Sequence, residues 1–223
     1  MTDYPNNIPA KLEIIKASEI TPKEVRWLWY PYIPFGKVKL LQGDPSDGKS
    51  KLMLSLAALL SKGAPLPFAD EDESGEPMTV IYQTTEDDAD DTVVPRFNSA
   101  GGDGDRLIFI KEDEKSLTFG DDRIREAVEK YHAKLLILDP MSSYIGDTCS
   151  MNNANETRAE FNHLIAVAKD TGCAIGQCRF SYVKGDGLVE ESDSAFCIYR
   201  GESLMEQLYG PEEKATCFVV AWN

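Results

Sequence analysis

The sequence predicts an α/β domain in which a mostly parallel sheet is flanked by helices. Three observations carry that expectation. Short apolar runs of β type alternate with helix-period stretches from about residue 37 to residue 178, the order that builds βαβ units. A glycine-rich loop, GDPSDGKS from Gly43 to Ser50, stands between one such strand and a helix. The most apolar run, KLLILDP at 134–140, ends in an aspartate, Asp139.

Residues 1–24 read as an N-terminal extension, punctuated by Pro5, Asn6, Asn7, Pro9 and Pro22. The body starts at residue 25 with an aromatic cluster, Trp27, Trp29, Tyr30 and Tyr32, leading into a strand over 37–42. Residues 49–63 carry Leu52, Leu54, Leu56, Ala57, Leu59 and Leu60, too dense for a surface helix, so a buried helix ending near Gly63 is expected. A Pro- and acid-rich loop over 64–77 precedes a second strand at 79–83. The acids of EDDADD, 86–91, should open a helix, since negative charge complements the positive N-terminal end of its dipole. SAGGDGD, 99–105, reads as a turn and LIFIK, 107–111, as a third strand.

Asp121 or Asp122 can cap a helix running through His132, with Ile124, Val128 and Tyr131 on one face. The strand 134–140 follows, then a loop over 141–153. Asn155 is expected to cap a helix reaching about Thr171, with Phe161, Leu164, Ile165 and Ala168 facing the core. Gly172 ends it, and CAIGQC opens another strand. The sequence contains no internal repeat.

A chain of 223 residues with 42% hydrophobic residues suits one domain of ordinary to large size with a real core. Its net charge of −15 repels nucleic acid, anionic membranes and acidic partners at long range. A nucleic-acid contact therefore needs a local basic surface, or an oligomer that concentrates the few lysines and arginines. The opening stretch MTDYPNNIPAKLEIIK has no apolar signal region, and no apolar run reaches the roughly 18–20 residues that span a bilayer. The expectation is a cytoplasmic protein with no membrane partner. Five cysteines with no C-x-x-C pair fit reduced thiols, and without secretion the sequon Asn155-Glu156-Thr157 is a chance match.

The loop matches the full phosphate-binding pattern: Gly43, then Asp44, Pro45, Ser46 and Asp47, then Gly48, Lys49 and Ser50. Glycines let successive backbone N–H groups turn toward phosphate oxygens, and the helix N-terminus adds positive potential. Lys49 would reach the β- and γ-phosphates, and the Ser50 hydroxyl would bind Mg2+. Ser46 stands where a third glycine is often found, and Lys51 stands where threonine is common. Asp139 is placed to serve the metal, although Asp-Pro is also an ordinary turn pair. Glu86 ends the strand after the loop's helix, at the ligand edge of a parallel sheet. It is either the group that activates water or a helix-starting acid among several.

The order WLWYPYIPFGK, GDPSDGKS, VIYQTTEDDADDTVVPRF, LLILDPMSSYIGD and MNNANETRAEFNHLIAVAKDTGCAI resembles the RecA-like P-loop ATPases of the plasmid and phage RepA type, AAA-family ATPases of mobile elements. The resemblance runs from about Val25 to Ile175. It implies a RecA-like core over 25–223, ATP with Mg2+, and often a homo-oligomeric ring with ATP between neighbours. Some members of the family are replicative helicases, so single-stranded DNA is an implied partner. Lys49, Ser50 and Asp139 fall on the family's phosphate and metal positions, and Glu86 on its catalytic glutamate.

Residues 176–223 depart from the pattern, as a divergent or truncated tail. The family's later segment with His, Asn and Lys is missing; Gln177 is either a γ-phosphate sensor or a polar strand residue that pairs poorly, and Arg179 or Arg200 is either an arginine finger or an ordinary surface residue. Cys173, Cys178, Cys197 and Cys217 cluster here without a zinc-binding spacing. Three functions remain open on the sequence. One is an ATPase motor, or the ATPase subunit of a replication or recombination system. Another is a nucleotide-binding regulatory or assembly module with little or no hydrolysis. The last is a small-molecule phosphotransferase, which would want an Arg-rich lid that is not evident after Asp139.

Overall fold

Strand residues alternate between two buried faces, and this explains why the strands read as unbroken apolar runs. In the computed structural model, residues 12–43, 48–69, 74–112, 115–146, 154–180, 195–200 and 218–221 are described. Val38–Gly43 (β3), Val80–Thr84 (β4), Leu107–Ile108 (β5), Leu135–Asp139 (β6) and Ala174–Phe180 (β7) lie in one sheet, after a small antiparallel pair, Trp27–Trp29 (β1) and Ile33–Pro34 (β2). Ala195–Arg200 (β8) and Phe218–Ala221 (β9) extend that sheet beyond β3. The spatial order is β5-β4-β6-β7-β3-β8-β9, parallel throughout except for β9, which runs antiparallel to β8. The α/β class with a mostly parallel sheet flanked by helices is thus as expected.

Helices Lys49–Lys62 (α1) and Val94–Ser99 (α2) cover one face. There Leu52, Leu56 and Leu60 pack with Val80, Tyr82, Leu135, Ile137 and Phe97. Asp122–Tyr131 (α3) and Ala154–Thr171 (α4) cover the other, where Ile124, Val128, Leu164 and Val167 meet Ile81, Leu136, Leu138 and Ile175. Each such aliphatic side chain taken out of water contributes roughly 1.5–3 kcal/mol. Helix α1 ends as the sequence predicts. Gly63 adopts φ 64, and a Cβ there would lie 2.1 Å from the Gly75 carbonyl oxygen, so both the conformation and the space call for glycine. The aromatic cluster caps this end of α1, with Trp29 Nε1 donating to the Pro67 carbonyl at 2.9 Å.

Several elements differ from the sequence expectation, each for a visible reason. The acids 86–88 do not begin a helix. The Thr84 hydroxyl accepts from the backbone N–H groups of Glu86 and Asp87, both at 3.3 Å, and this side-chain turn delays helical structure to a π-type turn at Ala89–Val93 followed by α2. The third strand is shorter than 107–111. Past Ile108, the Ile110 N–H donates to Gln83 Oε1 and its carbonyl accepts from Gln83 Nε2, so a side chain replaces the ladder. Asn155 lies inside α4, which begins at Ala154. Tyr131 and Ile165 are 44% and 49% exposed, so the buried stripes of α3 and α4 are narrower than expected, with Val167 joining Leu164 and Ala168. Cys173 is a core residue whose thiol is pushed up to about 12 by burial, which leaves it inert as a nucleophile. The other tail cysteines lie outside the residues whose side chains are described.

Asp121 does cap α3, accepting from the Arg123 N–H at 3.0 Å while also pairing with the Arg123 guanidinium at 2.8 Å. Those Arg123 bonds hold its carboxyl below the ordinary value of 3.8, against the opposing effect of burial. A carboxyl with a lowered folded pKa contributes stability in full above its unfolded value and loses it as pH falls through the folded one. Asp121→Ala is therefore expected to cost about 1–2 kcal/mol in urea unfolding at pH 7. The difference should shrink below about pH 3.8.

Candidate active site

The C-terminal edge of the sheet gathers the candidate residues. In an open parallel sheet ligands bind there, in the crevice beyond the strand ends. Gly43 closes β3, paired with Phe180 of β7. Asp44, Pro45, Ser46 and Asp47 lie outside the described residues. Gly48 follows with φ 82, the left-handed conformation that lets the chain turn from loop into α1. Lys49 and Ser50 then begin the helix, where N–H groups lack helical partners and favour anions.

Lys49 is only 6% exposed. The Ser50 hydroxyl donates to Asp139 Oδ2 at 2.5 Å, bridging 89 positions of sequence. Asp139 is itself 6% exposed and accepts a second bond, from the Tyr82 hydroxyl, at 3.0 Å. Glu86 stands exposed on the turn after β4, close enough to sense both groups. Partial desolvation holds its carboxyl above the usual range, helped by the charges of Asp139 and Asp87 and opposed by Lys49. Lys51 is half-buried one residue further along α1, and its carbonyl accepts from the Ser55 hydroxyl.

The structure thus brings Lys49, Ser50, Asp139 and Glu86 together. It does not bring Gln177 with them. Gly176 faces Met53 of α1, so the alternation turns Gln177 to the α3/α4 face, level with Leu138 and Leu40. Gln177 is fully buried there, and neither of its side-chain polar atoms has a partner among the described residues. That placement sets Gln177 on the opposite face of the sheet from Met53 and α1. Arg179 and Arg200 lie on β7 and β8, but their side chains fall outside the described residues.

Sequence reasoning missed the residues that hold the site in place. Thr84 shapes the Glu86 turn. The Thr85 hydroxyl donates to the Ser143 hydroxyl at 2.8 Å, and the Thr85 N–H donates to the Asp139 carbonyl at 3.3 Å, tying this turn to the segment after β6. Arg96 of α2 pairs with Asp87 at 3.1 Å. Being half-exposed, that pair contributes about 0–1 kcal/mol. Thr84 and Thr85 have no sequence signal of their own, because threonine is an ordinary strand residue.

A hydroxyl and a carboxylate in contact are the hard oxygen donors that Mg2+ takes, and a buried lysine next to the serine in sequence suits phosphate. Among the described residues no cluster of three or more His, Cys, Asp or Glu forms a cage for a metal. The donor set fits a magnesium nucleotide. Among the described residues no helix is long and apolar enough to cross a membrane.

A parallel α/β sheet with a phosphate-loop sequence leading into α1, and with its serine against a strand-end aspartate, defines a P-loop nucleotide-binding ATPase domain. The chain belongs to the AAA domain family, whose model matches residues 4–176. A comparison with curated proteins finds no match.

Proposed function

We propose that the chain is an ATP-binding, Mg2+-dependent ATPase of a phage- or plasmid-type replication or recombination system, RepA-like, acting as a homo-oligomeric ring on single-stranded DNA. The observation that carries the nucleotide reading is the contact of Ser50 with Asp139, made across the sheet edge beside buried Lys49. In this reading residues 25–223 form the ATPase unit and 1–24 an extension to it. Bound Mg2+ would draw charge from the terminal phosphates as they separate.

The chain's own residues supply the rest. Gly43 to Lys51 form the phosphate cradle, within which Lys49 binds the outer phosphates. Ser50 and Asp139 hold the metal. Glu86 orients the attacking water and accepts its proton, a role suited to a carboxyl held above its ordinary range. A chain of net charge −15 must focus its cations to hold DNA, and a ring pore does this with few cations per subunit.

Steady-state ATP hydrolysis with Mg2+, with and without single-stranded DNA, tests the proposal. Turnover that rises with DNA, and with protein concentration as subunits assemble, is the expected result. Mg2+-dependent ATP binding without turnover would replace this reading with that of a nucleotide-binding assembly or regulatory module.

A further inference from the structure

The Tyr82 ring is 1% exposed in the core between the sheet and α1, where a phenylalanine would fill the same space. Its hydroxyl nevertheless donates to Asp139 Oδ2 at 3.0 Å. The register makes this reach possible. In the parallel ladder Tyr82 pairs with Ile137 and Thr84 with Asp139, so Tyr82 and Asp139 are diagonal neighbours. Tyr82 and Ile137 share the α1 face, and Asp139, two residues beyond Ile137, shares it too. Two hydroxyls thus converge on one carboxylate oxygen, Ser50 from the helix and Tyr82 from the sheet.

The two donors differ in what they are free to do. Ser50 is one of the metal-holding groups, so its bond to Asp139 changes when a metal arrives. Tyr82 is fixed in the core by a strand whose four residues Val80 to Gln83 are all buried. We propose that Tyr82 is a positioning residue for the metal site: its hydroxyl fixes the Asp139 carboxylate in the orientation that holds Mg2+ with Ser50. This rests on the reading of the site as one for a magnesium nucleotide. Groups that orient a metal-holding carboxylate typically control metal affinity by about 10–100-fold.

The test is Tyr82→Phe, which removes one oxygen and leaves the ring. Binding of a fluorescent ADP analogue is titrated in EDTA and again across a range of Mg2+ concentrations. The expected result is wild-type affinity in EDTA and a requirement for about 10-fold more Mg2+ to reach the tight-binding state. In an Asp139→Asn background, Tyr82→Phe should add nothing further. An unchanged Mg2+ midpoint overturns the proposal. So does equal weakening with and without Mg2+ accompanied by a lower Tm, which marks a purely structural ring. A wild-type protein whose nucleotide binding ignores Mg2+ removes the magnesium-nucleotide reading, and the Tyr82 role falls with it. Wild-type Mg2+ dependence shared in full by the variant removes the Tyr82 role alone. Should Tyr82→Phe fail to fold, Tyr82→Met, of similar bulk and also without a hydroxyl, supports the same comparison.

Discussion

Lys49→Ala is expected to abolish high-affinity ATP binding and to leave only a trace of turnover. Lys49 is the first residue of α1, set by the left-handed turn at Gly48 and almost fully buried. An ammonium there can make charge-assisted hydrogen bonds to two phosphates, each worth roughly 1.5–3 kcal/mol. Losing both weakens binding by at least about 100-fold. Isothermal titration with ATP and Mg2+ measures this directly. A variant that binds and turns over like the wild type would remove Gly43 to Ser50 from any phosphate role. The substitution has a second effect with a definite sign. Among the described residues that act on it, Lys49 pulls the Glu86 carboxyl down against those that raise it, so its removal moves the Glu86 pKa further up. Residual turnover in the variant should therefore fall off on the acid side at a higher pH than in the wild type.

The phosphate-loop pattern, the aspartate that closes β6 and the alternation of strands with helices were legible in the sequence because each follows local rules. A phosphate loop needs its glycines at set positions, and a strand ending in an acid at a parallel edge needs only an apolar run and one carboxylate. The C-terminal turn of α1 at Gly63 and the Asp121 cap of α3 were legible for the same reason. Other features depend on contacts between distant segments, and these the chain does not announce. Gln83 truncates the edge strand by bonding to Ile110, 27 positions away. Thr85 ties the Glu86 turn to Ser143, 58 positions away. The face taken by Gln177 depends on where the alternation of β7 starts, and the sequence CAIGQC leaves that open until Ala174 and Ile175 are seen on opposite faces. Tyr82 reads as a strand aromatic, and only the β4–β6 register turns its hydroxyl into a partner for Asp139.

Glu86→Gln is expected to keep ATP binding near the wild-type level while lowering turnover by about 100–10,000-fold. Glutamine preserves the shape of the side chain, and the turn that carries it is set by Thr84, Thr85 and the Arg96–Asp87 pair, which are untouched. Only the capacity to take a proton is lost. The pH dependence separates this from a general weakening. Partial desolvation, then Asp139 and Asp87, hold the Glu86 carboxyl above its ordinary value of 4.5, so in the wild type the base form appears, and turnover rises, at a pH above that value. That acid limb should be missing from whatever turnover the variant retains. Stability carries the same sign in reverse. A carboxyl whose folded pKa is raised favours the folded state below its unfolded value, and this contribution is lost as pH rises through the folded value. Glutamine mimics the protonated form, so the variant should melt no lower than the wild type at neutral pH. Binding lost together with turnover would place Glu86 among the groups that hold the nucleotide. Binding and turnover both retained would pass the water-orienting role to another acid of the turn, with Asp87, held by Arg96, the first to substitute.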